Sequence, residues 1–110
     1  MLKYSELVAS AALTGVAVSY YTAPGSVQVA IHAVSAANPT GGAVTVNIYR
    51  VSTGGVASAA NRIASRVIPA GGTASIADAV NHKLAPGSQI FADGAGCALN
   101  ISGVEYTPGT

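Results

Sequence analysis

The sequence predicts an all-β protein, an antiparallel β-sandwich of jelly-roll-like form with about seven to eight short strands. Two observations carry this. Gly and Pro clusters punctuate the chain at short intervals: Ala23-Pro24-Gly25, Asn38-Pro39-Thr40-Gly41-Gly42, Gly54-Gly55, Pro69-Ala70-Gly71-Gly72, Ala85-Pro86-Gly87 and Asp93-Gly94-Ala95-Gly96. The segments between them have strand length, and several alternate apolar with polar residues, as a half-buried strand does. No repeat of fixed period is visible, so solenoids and propellers are not expected.

Residues 1–19 read as an N-terminal arm and a first strand, with 20–110 completing a single domain. From Val27 the alternation places Val27, Val29, Ile31 and Ala33 on one face and Gln28, Ala30, His32 and Val34 on the other. Val44, Val46 and Ile48 oppose Thr45, Asn47 and Tyr49 in the same way, and SAANPTGG, longer than a two-residue hairpin, connects these two successive antiparallel strands. Arg62–Ile68 carries two arginines and ends at Pro69, which suits a strand near a sheet edge. The overlapping stretch ASAANRIASR, residues 57–66, also contains good helix formers, so a helix competes there. Thr73–Ile76 is a short strand, and residues 77–80 are ambiguous, with one helical turn as an option before Asn81 and His82. Ser88–Ala92 and Ala98–Tyr106 flank Asp93-Gly94-Ala95-Gly96 as the last hairpin, whose Asp-Gly start favours positive φ.

At 110 residues the chain suits one domain, and its 22 alanines are a large share of a hydrophobic fraction of 50%, so the core is thin. A thin core gains from neighbours, which points to a homo-oligomer. Only 8% of residues are charged, with a formal net charge of +1, well under the roughly 25% usual for soluble domains. Low charge removes the repulsion that keeps free proteins apart. Nucleic acid is not an expected partner, because Lys3, Arg50, Arg62, Arg66 and Lys83 are dispersed rather than gathered into a basic stripe.

Nor is a membrane. LVASAALTGVAV, residues 7–18, is too short and too polar to span a bilayer, and as a secretory signal it is weakened by Glu6, which offsets Lys3.

Nothing in the sequence assembles an enzyme. His32 and His82 are the only imidazoles, no Gly-x-Ser-x-Gly elbow occurs, and a triad built on Asp78 or Asp93 has no local support. Glu6, Asp78, Asp93 and Glu105 are not adjacent in sequence and read as solvated surface carboxylates. His32 is expected exposed or interfacial, and His82 in a loop. No metal-ligand spacing is present, no cofactor is expected, and Cys97 reads as a small buried apolar residue. Gly94-x-Gly96 lacks the third glycine of a dinucleotide fingerprint. Tyr4, Tyr20, Tyr21, Tyr49 and Tyr106 remain as contact residues or as a sandwich rim, since tyrosine buries area while keeping a polar end.

Four tracts carry a resemblance: TAPGSVQVAIHAVSAANPTGGAVTVNIYRV, VIPAGGT, NHKLAPGSQI and CALNISGVEY. Together they resemble small virion proteins of tailed bacteriophages that fold as β-sandwiches. Ser88 departs from that pattern, which usually has an acidic residue there. The resemblance implies a passive structural part made in the host cytoplasm: a capsid decoration or cement protein on the shell exterior, often trimeric, that bridges major capsid subunits. A tail, neck or fibre-base component is the alternative within the virion. A host-surface carbohydrate-binding module using Tyr20, Tyr21 and Tyr49 is the alternative outside that class. The residues expected at an interface are Met1, Leu2, Lys3 and Tyr4 of the arm, with Tyr20, Tyr21, Arg62, Arg66 and Tyr106 at the rim.

Overall fold

The computed structural model describes residues 2–107 and shows two antiparallel sheets packed as a sandwich. Among the described residues there are nine strands: β1 (Leu2–Ala12), β2 (Val18–Thr22), β3 (Gln28–Ala37), β4 (Val44–Val51), β5 (Arg62–Ile68), β6 (Thr73–Ser75), β7 (Lys83–Leu84), β8 (Gln89–Asp93) and β9 (Ala98–Tyr106). Sheet A runs β1-β9-β3-β6, with β7 also on β3; sheet B runs β2-β8-β4-β5. Each strand of sheet A thus has a sequence neighbour at the matching position of sheet B, which is the order of a jelly roll. β6 and β7 fill one strand position in two pieces. They pair with opposite ends of β3, at Ser35–Ala37 and at Val29–Ala30, and the 3-10 turn Ala77–Ala79 lies between them. The ninth strand therefore comes from a split eighth position.

One connection differs from the sequence expectation. Asp93-Gly94-Ala95-Gly96 is not a hairpin: β8 pairs with β2 and β4, β9 pairs with β1 and β3, and the turn carries the chain from sheet B to sheet A. Asn38–Ala43 likewise crosses between sheets, so β3 and β4 are not ladder neighbours. Turn residues fix a local reversal, whereas the sheet that each arm joins depends on distant partners. Gly94 is required at its corner, because at φ 150° a Cβ would lie 2.9 Å from Val46 Cγ2 and 3.4 Å from Leu13 Cδ1. The competing helix reduces to the 3-10 turn Ala59–Asn61 before β5, which is an edge strand of sheet B.

The core lies between the inner faces, where Val46, Ile48, Ile68, Ile90 and Leu99 are fully buried. Val46 and Ile48 point inward as their alternation predicts. β3 departs from simple alternation through a bulge between Ile31 and Ala33. The extra residue leaves His32 and Ala33 both exposed and turns Val34 and Ala36 inward, so Val34 joins the core that the pattern denied it. Cys97 is also buried, and desolvation pushes its thiol pKa up.

One buried polar residue organises an end of the sandwich. Asn38 is 1% exposed, and its amide nitrogen donates to the carbonyls of Gly42 and Ile68, both at 2.8 Å. Its Oδ1 accepts from the Thr40 N–H at 3.0 Å and the Thr40 hydroxyl at 2.6 Å, so every group of the amide has a partner. Replacing Asn38 by Ala strands two carbonyls, one of them buried, at about 1 to 3 kcal/mol per unsatisfied group. A loss of about 2 to 4 kcal/mol is expected in urea unfolding, with the slope m unchanged.

Gly103 sets a second limit. A Cβ there would meet the Ala30 carbonyl oxygen and lie 2.7 Å from Leu7 Cδ1 in the middle of sheet A. Gly103→Ala is expected to lower stability by about 1 to 3 kcal/mol in the same assay.

Candidate interaction surface

Alternation along β1 and β9 decides which residues reach solvent from sheet A. Leu2 pairs with Tyr106, Tyr4 with Val104 and Glu6 with Ser102; across β9, Val104 faces Ala30, which in turn faces Lys83 of β7. Directly paired residues share a face, so all of these stand on the outer side of the sheet. Leu2 is 58% exposed, Tyr4 79% and Tyr106 43%, an apolar cluster at one end of a body measuring 51 × 25 × 19 Å. Beside it a groove of about 630 Å³ is lined by Leu2, Ala30, Leu84, Pro86, Val104 and Tyr106, with Lys83 on its margin.

Three of the expected interface residues, Leu2, Tyr4 and Tyr106, are thus brought together. Met1 lies outside the described residues. Leu2–Glu6 is paired with β9 throughout rather than extended as an arm. Lys3 points to the other side of β1, where its ammonium lies 4.0 Å from Glu105. Tyr20 and Tyr21 pack against the core. The Tyr21 hydroxyl donates to Glu105 Oε2 at 2.6 Å, a bond from the edge of sheet B to the centre of sheet A.

Arg62 and Arg66 take opposite sides of β5. Arg62 pairs with Tyr49 on the outer face, whereas Arg66 pairs with the inward-facing Val46 and reaches the Ser75 carbonyl of sheet A at 3.5 Å. The tyrosines named for a carbohydrate face are divided as well. Tyr49 is on the outside of sheet B, while Tyr20 and Tyr21 are turned toward the core. His32 is exposed and His82 lies in the loop before β7.

Two carboxylates are not the solvated groups that the sequence suggested. Glu105 holds Tyr21 and Lys3. Asp93 accepts from the Asn47 amide and the Tyr49 hydroxyl, both at 2.9 Å, across the β4–β8 pair. Sequence separation hid both sets, since Tyr21 and Glu105 are 84 residues apart and Tyr49 and Asp93 are 44 apart. Burial raises the pKa of Tyr21 and Tyr49, and a bonded carboxylate adds to the shift in each; at Tyr49 the nearby Arg62 opposes it. The Tyr21–Glu105 bond joins the two sheets, and the Asp93 bonds tie β8 to β4 within sheet B. Among the described residues no three His, Cys, Asp or Glu side chains gather as a metal site.

Comparison with known proteins finds no matching family, no matching curated protein and no matching solved structure.

The tyrosine bonds give the fold a pH dependence. Unfolded tyrosine loses its proton near pH ~10, whereas folded Tyr21 keeps it to higher pH. The folded chain then binds more protons, so stability is intact below about pH 10 and falls as pH rises above it. Tyr21→Phe is expected to be less stable at neutral pH and to show a shallower alkaline loss in thermal unfolding between neutral and strongly alkaline buffer. Tyr21→Phe with Tyr49→Phe should flatten the profile further.

Proposed function

We propose that this chain is a bacteriophage virion structural protein, a capsid decoration or cement protein that stabilises the shell by bridging major capsid subunits. The observation that carries this reading is the distribution of exposed large apolar side chains. They stand on three separate parts of the sandwich: Leu2, Tyr4 and Tyr106 on the outside of sheet A, Val16 and Val18 at the β1–β2 corner, and Val56 and Val67 on the β5 side. Scattered single apolar residues are ordinary on a protein surface. Here they occur on a chain with only 8% charged residues, which has little charge repulsion to keep neighbours away. A subunit held on several sides at once suits that surface.

The resemblance of the four sequence tracts to phage virion proteins supports the same class, and jelly rolls recur in capsid domains. Lectin domains and cupins use that fold too, so the fold by itself assigns no function. In the proposed role the sandwich contributes area and rigidity, and no bond is made or broken.

The test is the copy number of this chain in purified, salt-washed particles, by quantitative mass spectrometry and electron-microscopy density. A count on the scale of the shell subunits, with density on the capsid exterior, is the expected result. A ring-sized count moves the protein to the tail or neck, and absence from the particles overturns the reading.

A further inference from the structure

The outer face of sheet A is divided by charge across its width. On the β1 side, exposed Glu6 follows Leu2 and Tyr4 on the same face. In the middle, Val104 and Ala30 present short apolar side chains. On the β7 side stands exposed Lys83, and the Arg50 guanidinium arrives at the same edge, donating to the Lys83 carbonyl at 3.2 Å. The apolar groove runs from Leu2 to the β7 side, where Lys83 is part of its lining, and Glu6 stands further along β1 in a smaller depression with Tyr4 and His32. Among the described residues the ion pair Lys3–Glu105 is the only one, so Glu6, Lys83 and Arg50 have no opposite charge within 4 Å.

From this pattern we infer that the face is a self-association surface whose occupant is a second copy of this chain, turned over on it across a two-fold axis parallel to the strands. That axis exchanges the two borders. β1 of each copy lies over β7 of the other, so Leu2 and Tyr4 enter the partner's groove with Tyr4 level with Lys83, while Glu6 comes toward the Asn81 end, where the Lys83 ammonium donates to the Asn81 carbonyl at 2.6 Å. In the middle β9 lies over β3, with Val104 against Ala30.

Other arrangements do worse. An in-plane axis across the strands sets Glu6 beside Glu6 and Lys83 beside Lys83, and like charges repel. A head-to-tail ring needs its two complementary patches to face different directions, but here both are on one face of one sheet. A two-fold contact, in which the same patch serves both copies, closes without further subunits. The contact yields a pair rather than the trimer that the family resemblance implies. It stands on the geometry of this face alone and not on the virion reading, so the experiment below fails or succeeds independently of particle copy number.

Sedimentation velocity of the purified chain, from micromolar to sub-millimolar concentration, reads the pair directly. The expected result is a monomer–dimer equilibrium that Tyr4→Ser weakens by about tenfold or more, as loss of a central aromatic contact does. Glu6→Lys and Lys83→Glu should each weaken it, and the double variant should recover most of the loss, because the reversed charges meet again across the axis. All three positions are exposed, so circular dichroism should show the fold retained. A monomer at every concentration overturns the inference and leaves the face to a different chain. A trimer, or a dimer indifferent to the charge reversals, overturns it as well.

Discussion

Through one side-chain amide and its own peptide groups, Asn38 ties together two connections that run in opposite directions between the sheets. Its amide nitrogen holds Gly42, in the passage from β3 to β4, and Ile68, the last residue of β5. Its backbone N–H donates to the Gly72 carbonyl, and its carbonyl accepts from Gly71, both in the turn that leads into β6. Both passages are therefore fixed at one point, and the buried apolar residues around it can close. An unpaired amide at that depth would cost more than a hydrogen bond returns. Complete pairing is the condition for placing a polar residue there at all.

Elsewhere the sheets are joined by side chains that cross the gap at its margins. Tyr21 reaches Glu105, Arg50 reaches the Lys83 carbonyl and Arg66 reaches the Ser75 carbonyl. Arg50, Arg66 and Glu105 are the charged residues in these brackets, whereas Glu6, Arg62, Asp78 and Lys83 are exposed. The Lys3–Glu105 pair contributes little by itself, since Lys3 is largely in water. The Tyr21 bond is the stronger element, being short, partly buried and made to a carboxylate.

Fold class and much of the core were legible because period-two patterning and turn chemistry are local signals. Val46 and Ile48 point inward, β5 is an edge strand that stops before Pro69, a helical turn occupies 77–79, and Cys97 is buried. What local signals lack is partner identity. The Asp93–Gly96 turn has the composition of a hairpin, yet its arms join different sheets. The β3 bulge was invisible because no residue type marks it, and it moved Val34 to the inner face. The same limit governs the surface. Leu2 and Tyr4 are expected at an interface as part of an N-terminal arm and Tyr106 as an aromatic at the rim, whereas Ala30, Val104 and Leu84 read as ordinary strand residues. They acquire meaning only through the register that lines them up with Tyr4 and Lys83.

Leu2 pairs with Tyr106, and Gln28 lies on the other side of Tyr106. β9 is thus an inner strand of sheet A, wedged between two strands made much earlier during translation. Neither β1 nor β3 can find its main ladder partner until residue 106 has emerged from the ribosome. Until then β1 has no ladder partner among the described residues and β3 is paired only by the short β6 and β7, and closure depends on insertion of β9 between them. Contacts so distant in sequence close slowly and leave strand edges open in the meantime. For a chain with so little charge to keep copies apart, the interval before that insertion is when mispairing between newly made molecules is most dangerous.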